Sequence, residues 1–240
     1  WTAKSVAISP PLIIADAASV LYLEENGKRW RLPKGDAAFD QSGPLGPARL
    51  CREVCTERNL LNVWGTFYEL PAENAGGFAR IRPIATHNRR IHDYASFRGL
   101  LVLSGLADPP AEENPHVIRS DDGHCALWVG VVDDLWQLGK PRGVGGPWKD
   151  TPVSANEPSD PYLMTGYDRK SLVLAHDAVL AVKMTVEVDV TGDGLWLPYR
   201  AFAVEPGRPF THQFPVAFAA YWVRFAADRA CRATAQFTYE

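Results

Sequence analysis

Residues 80–105 read RIRPIATHNRRIHDYASFRGLLVLSG, and this stretch decides the fold. Arg80 to Ile84 is strand-like, and Gly99 to Gly105 is a strongly apolar strand. Between them lies a polar turn holding His87, Asn88, Arg89, Arg90 and His92. Strand, polar turn, strand is the pattern of a β protein. The same stretch is the densest in titratable groups: Arg80, Arg82, Arg89, Arg90 and Arg98 stand with His87, His92, Asp93 and Tyr94. A polar loop held by rigid strands is a common place for a binding site. The alternative reading is a solvated basic turn.

Working outward, GTFYELP (residues 65–71) reads as a strand entering the Gly-rich turn ENAGG. Further upstream, SVLYLEENGKRWRL is a hairpin around Asn26-Gly27, the strongest short hairpin signal. Residues 33 to 47 read as a loop. GPARLCREVCTERNLLN, from Gly46 to Asn62, is the best helix candidate, with Pro47 in its first turn and Leu50, Val54, Leu60 and Leu61 as an incomplete apolar face. Downstream, HVIRSDDGHCALWVGVVDDLWQLGKP predicts three closely spaced strands, with one reversal at Asp122-Gly123 and another within Val131 to Trp136.

Short strands joined by tight turns, with a Trp near a strand end, resemble propeller blades. The Gly- and Pro-rich run Gly139 to Pro161 marks the clearest boundary. Beyond it the strands alternate: Met184, Val186 and Val188 against Thr185, Glu187 and Asp189. The expected architecture is all-β: partial propeller-like blades over residues 1–145, a linker over 146–161, and a small antiparallel sandwich over 162–240.

The 240-residue chain carries a formal net charge of -3. That balance leaves no footprint for nucleic acid, and the arginine cluster is a local basic feature suited to a small anionic ligand. No apolar run approaches eighteen residues, so no membrane span is expected. The chain starts at Trp1 and reads as a piece of something longer. Cys51 and Cys55 lie four apart, but no second pair has zinc spacing; Cys125 and Cys231 sit in strand-like segments where a buried free thiol is common, so inert thiols are expected. No metal or other cofactor is expected. The DVTGDG turn (Asp189 to Gly194) has some calcium-loop character without the downstream Glu of an EF-hand. A P-loop, a GxSxG elbow and a GxGxxG after a strand are absent from the sequence.

The string from Gly65 to Gly105, with ALWVGVVDDLW and SDPYLMTGYD after it, resembles the C-terminal portion of large bacterial β-propeller proteins associated with polysaccharide degradation. The resemblance implies a lyase or glycoside hydrolase acting on a uronic-acid-containing glycan. It also implies a periplasmic or extracellular place and a missing N-terminal segment or second chain that completes the propeller. His87, Tyr94 and Tyr68 would do acid and base work. Arg82 and Arg98 would neutralise the uronate, with Asn88, His92 and Trp136 as further substrate contacts. Arginine neutralises a carboxylate through its bidentate fork, while imidazole and phenol move protons. Each of these residues also has a structural reading: Arg82 and Arg98 could pair with Glu69 and Asp93. A hydrolase would instead need two carboxylates across the sugar, such as Asp93 with Asp133 or Glu69. A non-catalytic glycan-binding or structural module is the remaining alternative.

Overall fold

The computed structural model describes residues 13–35, 49–55, 58–87, 89, 91–105, 114–216 and 218–240. The ordered elements among them are β-strands and short 3-10 helices, so the fold is all-β. The described residues form two compact units: those within Gly35–Pro141, and those within Ser9–Lys34 and Arg142–Glu240.

β1 (Ile13–Ala15), β2 (Val20–Leu23) and β3 (Arg29–Leu32) open the chain. The expected hairpin forms, with Val20 opposite Leu32 and Tyr22 opposite Trp30. Its turn takes Gly27 to a φ of 85°, a conformation that costs glycine little. In contrast to the blade expected here, these strands belong to the second unit.

The first unit holds two four-stranded antiparallel sheets. β4 (Arg49–Cys55), β5 (Arg58–Val63), β6 (Thr66–Leu70) and β7 (Arg82–Thr86) pair in chain order. β8 (Asp93–Phe97), β9 (Leu100–Ser104), β10 (Val117–Arg119) and β11 (Ala126–Gly130) pair in the order β10-β11-β9-β8. Leu60, Phe67 and Ile84 from one sheet share a core with Tyr94, Leu101, Leu103 and Trp128 from the other. The segment expected to be a helix is instead the β4-β5 pair, Arg52 standing opposite Leu60. The reason is visible at Leu60, Leu61 and Val63, all buried along with Asn62. A strand covered on both faces reads as an apolar run, which periodicity alone does not separate from a buried helix.

The second unit continues with β12 (Gly143–Val153), β13 (Tyr162–Leu163), β14 (Lys170–His176) and β15 (Val182–Asp189). It ends with β16 (Trp196–Val204), β17 (Phe210–Gln213), β18 (Trp222–Ala227) and β19 (Cys231–Tyr239). Two sheets result, ordered β1-β2-β3-β13-β18-β15-β16 and β12-β19-β14-β17. Aromatic rings join them: Tyr162 stacks on Phe237 at 5.4 Å, and Phe225 lies 5.9 Å from Phe237. The first half of the expected linker is strand, because β12 runs to Val153 against β19. Its prolines are tolerated because β12 is an edge strand whose register shifts between Gly145 and Trp148 and between Trp148 and Thr151.

Candidate functional site

A hollow of about 370 Å³, partly open to solvent, lies in the first unit. Most of that space is open solvent: the cavity proper measures about 40 Å³, well short of the roughly 300–1,000 Å³ of an enclosing small-molecule cleft, so the hollow is a shallow depression on which a ligand would rest. Val54 on β4, Leu60 on β5 and Ile84 on β7 give it apolar walls. Asn59 on β5, Glu69 on β6 and Asp133 give it polar groups, and Val132 and Trp136 complete the lining. Trp136 is 62% exposed.

The segment from Val132 to Leu138, VDDLWQL, explains how Asp133 and Trp136 come together. It forms a 3-10 helix where a tight reversal was expected. At three residues per turn, side chains at i and i+3 eclipse. Val132, Leu135 and Leu138 therefore share one face, and all three pack on the core. Asp133 and Trp136 share the next face and line the hollow. The helix start is fixed reciprocally: Asp134 N–H donates to the Val131 carbonyl at 3.0 Å, and the Asp134 carboxylate accepts from Val131 N–H at 2.8 Å. Glu69, in the same lining as Asp133, stands in register with Arg82 on the neighbouring strand. Arg82 Nε and Nη2 both donate to Glu69 Oε2, at 3.0 and 2.8 Å.

The residues expected to do acid and base work lie elsewhere. His87 is 6% exposed in the core. Its Nδ1 accepts the Arg89 backbone N–H at 2.9 Å, so its Nε2 carries the proton and donates to Asn62 Oδ1 at 2.9 Å. Burial first, and the Arg89 charge second, pull its pKa down to about 3. Both ring nitrogens are engaged, which leaves no base for a substrate. Tyr94 is buried, with Leu50 and Leu60 carbonyls at 2.7 and 2.6 Å from its hydroxyl. Burial drives its pKa well above 10. Tyr68 is fully buried on β6. A proton-transfer role for these three in solvent-borne substrate is thus not supported by their surroundings, because no ligand reaches them without opening the core.

The binding residues divide. Trp136 lines the hollow, and Arg82 holds Glu69 beside it. His92 and Arg98 are exposed on the other sheet's strands and turns, with the Arg98 guanidinium 5.4 Å over the Phe97 ring. The expected partner of Arg98, Asp93, pairs instead with Arg52 through two bonds of 3.1 Å. Asn88 lies outside the described residues. Asn59 was not anticipated, and the apolar period of three in VDDLWQL was the signal for the 3-10 face.

No protein-family model matches the chain, and no curated protein does. A solved structure of an exo-β-1,3-galactanase from Phanerochaete chrysosporium with galactose aligns at 10% identity and a TM-score of 0.22. The alignment covers 95% of this chain and 67% of that one. A likeness at that level carries no argument about fold or chemistry.

Among the described residues, no group of three or more His, Cys, Asp or Glu is placed to hold a metal ion. The Asp189 carboxylate turns inward and accepts backbone N–H from Gly192 at 2.7 Å and Gly194 at 2.8 Å. Burial pushes the Cys51 thiol up to about 12, so it stays a thiol at neutral pH.

Proposed function

We propose that the hollow beside Trp136 binds a saccharide, and that the chain is a carbohydrate-active protein. The observation that carries this reading is an exposed Trp136 that lines one hollow together with Asp133, Glu69 and Asn59. An indole face receives the C–H face of a sugar ring, while carboxylates and amides accept bonds from its hydroxyls. With Arg82 occupied by Glu69, the lining favours a neutral sugar over a uronate. On this reading the two four-stranded sheets of the first unit are propeller-like blades and the two sheets of the second a sandwich.

Titration with neutral and uronate-containing oligosaccharides, read by tryptophan fluorescence and calorimetry, tests the reading. Neutral oligosaccharides should bind, and Trp136→Ala should weaken binding about tenfold or more while stability stays within about 0.5 kcal/mol, as for most exposed positions. No binding across the panel, or unchanged binding in the variant, would sink it.

Glycoside hydrolysis is the second reading, favoured by Glu69 and Asp133 lining the same hollow. Sugar release from a bound oligosaccharide, lost in both Glu69→Gln and Asp133→Asn, separates it from binding alone. Lyase chemistry has less support, since His87 and Tyr94 are committed to the core.

A further inference from the structure

The second unit holds a polar groove of about 230 Å³ lined by Arg29, Arg31, Trp148, Ser154, Glu157 and Asp160, among others. One wall is the loop from Ser154 to Pro161, which is pinned in place. Asn156 N–H donates to the Ala227 carbonyl at 2.7 Å, Ser159 N–H to Phe225 at 2.8 Å, and Arg31 N–H to Pro161 at 2.8 Å. The groove is therefore shaped before any ligand arrives.

Two guanidinium groups converge in it on one carboxylate. Arg29 Nε meets Asp160 Oδ1 and Arg31 Nε meets Asp160 Oδ2, both at 2.9 Å. Arg31 is only 7% exposed, and its Nη1 is taken by Asp16 Oδ2 at 2.8 Å and Ser19 Oγ at 3.1 Å. Among the described residues no acceptor meets Arg31 Nη2 or either terminal nitrogen of Arg29. Asp160 and Asp16 are thus already occupied, and what remains is a surplus of donors on planar cations. None of these nitrogens is sealed from solvent, so a ligand in the groove can reach them, and the guanidinium fork matches a carboxylate.

We propose that this groove binds a carboxylate-bearing ligand through the remaining terminal nitrogens of Arg29 and Arg31. Ser154 on the same wall supplies a hydroxyl for the rest of the ligand. Glu157, exposed in the same lining, opposes the ligand's charge and sets an upper limit on affinity. The proposal is independent of the saccharide reading of the other unit.

Calorimetric titration of the intact chain with glucuronate, acetate and glucose at low and moderate salt tests it. Glucuronate should bind, more weakly as salt rises, because ions screen an exposed pair. Arg29 is half exposed, so Arg29→Met should fold; it should lose about tenfold or more in affinity, the usual cost of a charge-assisted bond. Glu157→Gln should bind more tightly, and Trp136→Ala should bind as the parent does. Acetate binding as well as glucuronate would assign the site to the carboxylate alone; preference for glucuronate would assign it to an acidic sugar. Glucose binding that persists in Trp136→Ala and matches that of glucuronate, no effect of Arg29→Met, weaker binding in Glu157→Gln, or no binding of either acid would overturn the proposal.

Discussion

Arg89 donates its backbone N–H to His87 Nδ1 at 2.9 Å, and that bond decides what the imidazole can do. It fixes the proton on Nε2, which in turn satisfies Asn62. An imidazole placed this way is a structural polar group in a core, with the Phe67 ring 4.7 Å away.

Acid should therefore weaken the fold through His87. The unfolded chain's imidazole takes a proton near its ordinary 6.5, whereas the folded one does so only near 3. Between those values the unfolded state binds more protons, so stability falls as pH falls, by up to about 1.4 kcal/mol per pH unit from this group. Urea unfolding of the parent and His87→Ala at pH 7 and 4.5 checks this. At pH 7 the variant should be less stable by about 1–3 kcal/mol, since Asn62 loses its partner. Its stability should also depend less on pH; equal slopes would contradict the assignment.

Tyr94→Phe should be destabilised by about 1–2 kcal/mol, because one of the Leu50 and Leu60 carbonyls loses a buried donor. Saccharide binding in the hollow should be unchanged, since the ring remains in the core. A loss of binding with normal stability would restore Tyr94 to a direct role.

Much of the fold was legible because it was local. The turns at Asn26-Gly27 and Asp122-Gly123, and the buried face of Met184, Val186 and Val188, rest on neighbours in the chain. The core roles of His87 and Tyr94 were not legible because their partners are distant: Asn62 lies 25 residues from His87, and Leu50 lies 44 from Tyr94. A cluster of titratable residues in sequence says nothing about which of them the sheet buries. β12 was hidden for another reason. Its prolines and glycines read as linker, and only an edge position with shifted register lets such a strand pair. At the hollow, Trp136 was legible as an aromatic suited to a sugar, but its pairing with Asp133 needed the 3-10 period.

Asp189→Ala should lose about 2–4 kcal/mol, because backbone N–H groups of Gly192 and Gly194 lose a charged acceptor in a buried turn. Calcium, and its removal by a chelator, should leave the melting temperature of the parent unchanged. A calcium-dependent rise would mean that the carboxylate leaves those N–H groups for a cation.

Asp133 and Trp136 should be energetically coupled in ligand binding, since an eclipsed i, i+3 pair presents ring and carboxylate to the same sugar. In a double-mutant cycle, Asp133→Ala and Trp136→Ala should each weaken binding, and the double variant should lose less than the sum, with a coupling of about 0.5–3 kcal/mol. Leu135→Ala supplies the structural control. It removes the buried anchor under the 3-10 helix, at a cost of about 2–5 kcal/mol in stability. With that anchor gone, Asp133 and Trp136 lose their fixed spacing, so affinity should fall although both side chains remain. Additive losses from Asp133 and Trp136 would show that they contact different parts of the ligand, and undiminished binding in Leu135→Ala would show that the 3-10 face does not organise the site.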